Sequence, residues 1–219
     1  SVLSVLPNLT SLDLGANQVS DISTLAGLTE LTYLALAENQ ISDISPLSNL
    51  TKLQQLYIFT NQISDISALG GLTDLTNLDL SWNQIGNNLS ALAGLTKLTW
   101  LELGHNGIDN INMLSGLTSL DHIELCRNQI SDISPLSGLT NIGWLNLGYN
   151  NISDVSALSG LTNIYDLYLN DNLVNDIHPL VNNSGVDSGD HLYLRGNPLS
   201  VTSIDSHIPA LQARGVIVD

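Results

Sequence analysis

Nine asparagines, Asn17, Asn39, Asn61, Asn83, Asn106, Asn128, Asn150, Asn172 and Asn197, stand 22 residues apart, with gaps of 23 before Asn106 and 25 before Asn197. Apolar residues precede them at −5 and −3, and Leu or Ile stands at −8 before all but Asn197, as Leu31, Leu34 and Leu36 precede Asn39. A period this regular restricts the chain to stacked copies of one short unit, because a single unit cannot bury its own apolar side. Alternation at −5 and −3 reads as a short strand with one buried face. The asparagine amide that follows satisfies backbone groups left unpaired by a tight bend, and successive copies predict an asparagine ladder inside the coil. Ile22, Ile44 and Ile66, then Leu25, Leu47 and Leu69, complete the core behind each bend. Pro46, Pro135 and Pro179 fall in the same return segments, which predicts 3₁₀ or extended backbone there and no long helix.

The columns L-x-x-L-x-L-x-x-N-x-I are those of a leucine-rich repeat, and D-I-S-P-L-S-x-L-T at Asp43–Thr51 and Asp132–Thr140 resembles the 22-residue repeats of the internalin family. The resemblance implies a leucine-rich repeat solenoid of the α/β horseshoe type. Its concave side would be a parallel β-sheet and its convex side 3₁₀ or extended segments. The array is expected to occupy residues 1–199, with residues 200–219 as a C-terminal cap. In that segment Ile204, Ile208 and Leu211 share one helical face interrupted at Pro209, and Gly215 resembles a helix stop. This ending is similar to those of many bacterial leucine-rich repeat proteins and unlike the immunoglobulin-like region that follows internalin repeats. Ser1–Leu9 align without gaps to Ser23–Leu31, so the chain is expected to open inside a repeat, without the helical N-terminal cap of internalins.

Charge narrows the partners. The chain has 21 acidic and five basic residues, a formal net charge of −16, which favours cationic ligands and disfavours nucleic acid and anionic membranes. No apolar run reaches the ~18 residues of a membrane span, and the first residues do not read as a signal peptide. Cys126 is the single cysteine, so no intrachain disulfide exists.

The positions −7, −6, −4, −2 and −1 from each asparagine alternate with the core leucines and are expected on the concave surface. All ten aromatic residues fall in those columns: Tyr33, Tyr57, Phe59, Trp82, Trp100, Trp144, Tyr149, Tyr165, Tyr168 and Tyr193. Strand preference and ring packing along the sheet account for some of them, but not for their absence from every other column. Exposed Trp and Tyr are the usual anchors of binding surfaces. The first two repeats, with Gly15, Ala16, Ala35 and Ala37, look bland. From the third repeat the face fills, and the candidate ligand-binding residues are Tyr57, Phe59, Asp79, Trp82, Trp100, Glu102, His105, His122, Glu124, Arg127, Trp144, Tyr149 and Tyr168. Asp79, Glu102 and Glu124 share one column, where mutual repulsion is expected to raise a pKa, or a cation to sit among them. A solvated acidic strip awaiting a basic partner is favoured over a calcium site, since a flat sheet rarely supplies six oxygens.

No phosphate loop, zinc spacing or nucleophile elbow occurs. A Cys126–His105 pair would need an orienting third group, so Cys126 reads as one more small residue in the −2 column. The chain is therefore expected to be a non-catalytic module without cofactor or metal. The internalin resemblance implies a protein ligand, bound on the concave face of a bacterial surface or secreted protein. Alternatives are a carbohydrate-binding module, because Trp and Tyr platforms flanked by Asp and Asn also suit sugar rings, and an intracellular regulator built on the same repeat. Asp21, Asp43, Asp65, Asp132, Asp154 and Asp176 recur with the scaffold and are assigned to turns.

Overall fold

The computed structural model describes residues 7–219; the reading of the first six residues as repeat interior lies outside them. The chain divides into two compact units, Ser1–Gly107 and Ile108–Asp219. Among its described residues, the first unit carries strands β1 (Ser11–Asp13), β2 (Tyr33–Ala35), β3 (Gln55–Tyr57), β4 (Asn77–Asp79) and β5 (Trp100–Glu102). Each pairs in parallel with the next, in the register Asp13, Ala35, Tyr57, Asp79, Glu102. The second unit carries β6 (His122–Glu124), β7 (Trp144–Asn146), β8 (Asp166–Tyr168), β9 (His191–Tyr193) and β10 (Ile217–Val218), again parallel and in chain order.

Each of β1 to β9 lasts only three residues because a left-handed turn cuts it off. The residue at −1 takes φ between 53° and 57° at Ala16, Glu38, Thr60, Trp82 and His105, and between 52° and 56° at Arg127, Tyr149 and Asp171. Only before Asn197 does glycine hold that place, at Gly196 with φ 81°. The bend aims each asparagine inward. Asn61 Nδ2 donates to the carbonyls of Ile58, Phe59 and, one repeat earlier, Leu36, while its Oδ1 accepts the Ile41 N–H at 2.9 Å. Asn83 repeats the pattern with Ile58, Leu80, Ser81 and Ile63, and Asn150 with Leu125, Leu147, Gly148 and Ile130. The expected ladder is present, and at Asn61, Asn83 and Asn150 it ties the repeat to its predecessor.

The return segments are short 3₁₀ turns such as Ser23–Gly27, Ser67–Gly71 and Ser156–Gly160. Pro46 and Pro135 open three-residue 3₁₀ turns, and Pro179 lies in the five-residue α1 (His178–Asn182). The scaffold aspartates hold the entry to these turns. Asp21, Asp43, Asp65, Asp132, Asp154 and Asp176 each accept the N–H two residues on, all at 2.8 Å. The 23-residue repeat absorbs its extra residue in the return segment, where Gly86 takes φ 55°.

The 25-residue repeat breaks the −8 column, because Gly189 stands where the other repeats place Leu or Ile. Val186 is buried nearby, and Asn183, fully buried, bonds the Leu158 and Leu161 carbonyls. Gly185 permits this path: a Cβ there would lie 2.0 Å from the Thr162 carbonyl oxygen. The last residues form a π-turn over Ser203–His207, α2 (Ile208–Ala213) and β10, with Gly215 at φ 92° between helix and strand. Leu211 is fully buried, whereas Ile204 is exposed.

Candidate functional site

On the outer face of the first unit, the register sets Asp79 beside Glu102 and Asn77 beside Trp100. Asp79 is 8% exposed; its Oδ1 accepts the Ser81 N–H at 2.9 Å. Burial raises its pKa above 3.8, partly offset by hydrogen bonding to Ser81 and to the Glu102 carboxyl. Asp79 thus carries a raised pKa, but burial and not the anticipated mutual repulsion is its cause, since the Glu102 carboxyl lowers it by hydrogen bonding. Glu102 in turn accepts the Trp100 indole N–H at 2.8 Å, which fixes the ring on the face. Trp82 stacks on His105, ring centroids 3.3 Å apart. Tyr57 tilts against Tyr33 at 5.8 Å, and burial raises its pKa. Phe59 joins these two tyrosines in lining an open recess of about 440 Å³ above the small residues of the first two repeats. Those repeats, bland in the sequence, form the floor of a hollow.

The second unit presents a run of rings on adjacent strands. His122 stacks flat on Trp144 (4.0 Å, 3°), Trp144 tilts against Tyr168 (5.4 Å), and Tyr168 stacks on Tyr193 (4.2 Å, 4°). Burial holds the His122 imidazole down at about 4 and pushes the Tyr168 phenol up to about 12, Tyr193 adding to the latter. Glu124 is clamped: it accepts the Cys126 N–H and the Asn146 side-chain amide, each at 2.8 Å. The Arg127 guanidinium lies 4.0 Å above the Tyr149 ring, a cation–π pair. A second recess, about 620 Å³, is lined by Tyr149, Asn170, Asp171, Tyr193, Arg195 and Asp219.

The structure thus groups Asp79, Trp100 and Glu102, pairs Trp82 with His105, and sets Tyr57 and Phe59 together within the first unit. Within the second it groups His122, Trp144 and Tyr168 and pairs Arg127 with Tyr149. Asn146, Asn170 and Arg195 escaped the sequence reading because polar residues in variable columns carry no signal until their neighbours are known. Tyr165, 49% exposed, was an aromatic without an assigned role; it fits over Gly143, where a Cβ would lie 2.6 Å from its ring. Among the described residues no group of three or more His, Cys, Asp or Glu is placed to hold a metal ion.

The leucine-rich repeat family in its two-copy form matches residues 29–71 and 96–138, and in its single-copy form residues 5–22 and 71–88. An internalin (inlF) of Listeria monocytogenes is 34% identical, with a TM-score of 0.91 over 99% of this chain and 62% of its own. Internalin C2 of the same species is 30% identical, TM-score 0.69, over 99% of this chain and 83% of its own. The leucine-rich repeat ectodomain of a plant membrane receptor kinase from Arabidopsis thaliana, solved in complex with Casparian strip integrity factor 2, shares the fold at 24% identity, TM-score 0.72, over 87% of this chain and 24% of its own. No curated protein sequence matches the chain.

Proposed function

The chain belongs to the internalin-like leucine-rich repeat proteins, and from that membership we propose that it is a non-catalytic module that binds a basic protein ligand on the outer face of its strands. One observation carries this: Trp82 (56%), Trp100 (38%), Tyr149 (43%) and Tyr165 (49%) stay exposed on that face although the interior is filled by aliphatic residues. Exposed rings held by Glu102 or paired with His105 and Arg127 are preorganised contact area, which lowers the cost of ordering on binding. Acidic groups beside them, Asp79, Glu102 and Glu124, select Lys or Arg and speed association. We place the protein on the surface of a bacterium or secreted from it, as the Listeria relatives suggest; among the described residues no helix is long and apolar enough to cross a membrane. A second reading, a glycan ligand, is favoured by the flat Tyr168–Tyr193 platform beside the recess that contains Asn170, Asp171 and Arg195.

The test runs the protein against a library of extracellular protein domains and a glycan array in parallel. A protein ligand retained by the wild type, associating more slowly as salt rises, and lost on Trp82→Ala or Trp100→Ala but kept on Met113→Ala supports the proposal. Truncating a central anchor costs about 2 kcal/mol or more of binding. Retention of glycans alone, or of a protein indifferent to both tryptophan truncations, overturns it.

A further inference from the structure

The recess of the first unit is built by a step in side-chain size. Its floor is Ala35 and Ala37, with Gly15 on the neighbouring strand side. The next repeat raises Tyr57 and Phe59 in the same two columns, one strand away, roughly 4.8 Å. Tyr33 stands at one end of the floor and Glu38 at the other, and Asp13 faces the rings from the first repeat. Three aromatic rings and two carboxylates thus surround an apolar floor.

Asp13 is held by its side chain and Glu38 by its backbone. Asp13 Oδ1 accepts the Gly15 N–H at 2.8 Å, and a Cβ on Gly15 would lie 3.2 Å from that oxygen. Glu38 sits in the left-handed turn, its own N–H donated to the Phe59 carbonyl at 2.9 Å. No Lys, Arg or His lines the recess. The unit's two lysines are engaged elsewhere, Lys52 with Glu30 at 2.6 Å and Lys97 with Asp74 at 2.7 Å. Among the described residues of this unit, no Lys or Arg meets the negative charge over the hollow.

We propose that this recess receives a lysine side chain of the protein ligand, its methylenes on Ala35, Ala37 and Phe59 and its ammonium between the tyrosine rings and the carboxylates of Asp13 and Glu38. The pairing follows from the chemistry: an alkyl stem needs apolar walls, and an ammonium is drawn both to ring faces and to carboxylates. The proposal rests on a protein ligand being bound at the strand face, and it adds an anchoring point at the end of that face that lacks tryptophan.

The probe is Nα-acetyl-lysine N-methylamide, titrated into the whole protein while the ring resonances of Tyr33, Tyr57 and Phe59 are followed by NMR. Saturable shifts confined to those rings, weakened by salt and absent with the norleucine analogue, are expected. Glu38→Gln, at an exposed site that leaves the fold intact, should weaken the probe about fivefold. Ala37→Leu should abolish binding by filling the floor. Equal shifts with norleucine, no saturable shift, or an affinity unchanged by both variants would overturn the proposal. Because the probe carries no other part of a ligand, its failure is distinct from loss of protein capture in the tryptophan variants.

Discussion

At the scale of single residues, two side chains stand where the backbone or the solvent works against them. Thr60 is β-branched yet takes φ 53°. The left-handed region costs an L-residue roughly 1–2 kcal/mol, which glycine does not incur. Thr60→Gly should raise stability by about 0.5–1 kcal/mol after the greater chain entropy of glycine is counted, read as a higher denaturant midpoint at unchanged slope. A lower midpoint would mean that the threonine side chain contributes more than its conformation costs. Asp79 is the second case. Its folded pKa lies above the ordinary 3.8, so the folded protein holds this proton more tightly than the unfolded chain does. The stability this contributes is fully present below that ordinary value and is lost as pH rises through the folded pKa. Asp79→Asn keeps the oxygen that accepts the Ser81 N–H and removes the titration. It should melt higher than the wild type at pH 7, the gain shrinking as pH falls through the raised folded pKa and vanishing below the ordinary 3.8. A gain independent of pH would show that charge is not its cause.

At the scale of the repeat, the turn after each strand does the joining. Asn83 satisfies three carbonyls and one N–H, two of these four groups belonging to the preceding repeat, whereas among the described residues the exposed Asn17 bonds Leu14 and Gly15 of its own turn. Leaving buried backbone groups unpaired costs about 1–3 kcal/mol each, against near zero where water replaces the amide. Asn83→Ala should therefore lose about 3 kcal/mol or more in a denaturant titration, and Asn17→Ala under about 1 kcal/mol. Similar losses at both positions would show that the ladder is not what couples the repeats. The repeat itself was legible in the sequence, because leucine and asparagine columns are fixed by burial and by backbone hydrogen bonds, and both leave periodic traces. The left-handed turn was not. Its column contains Ala16, Glu38, Thr60, Trp82, His105, Arg127, Tyr149 and Asp171, with glycine at Gly196 alone, so residue type announces φ at one position in nine. The buried Asn183 was hidden for another reason: it falls outside the period, in the repeat lengthened by Gly185 and its neighbours.

At the scale of the whole chain, composition placed the rings and acids in the variable columns of the repeat but said nothing of the relief they make. Aromatic columns were visible as a list; which rings touch depends on register, and the register pairs Tyr57 with Asp79 and Tyr168 with Tyr193. Trp144 illustrates the difference. Chosen from the sequence as a binding anchor, it lies between His122 and Tyr168, so truncating it also removes ring packing, whereas Trp82 and Tyr149 are more exposed. The small residues of the first repeats misled in the opposite direction, since what looked like an empty surface is the floor of a hollow. A net charge of −16 over a chain with five Lys and Arg residues steers cationic groups toward the molecule and anionic ones away.

The asparagine ladder also has a meaning for the gene. The asparagines between Asn39 and Asn83 reach partners at constant sequence offsets, 20 and 25 residues back for the neighbouring turn and three and two for their own. Excise or duplicate 22 codons anywhere between Asn39 and Asn61 and the reading frame survives, while every amide finds an equivalent carbonyl at the new junction. Unequal crossing-over between such copies would shuffle Tyr57, Phe59 and Glu38 into new neighbourhoods without unravelling the coil. Heredity can then lengthen, shorten or recombine the outer face in whole steps, and a lineage can try a new ligand at little structural risk.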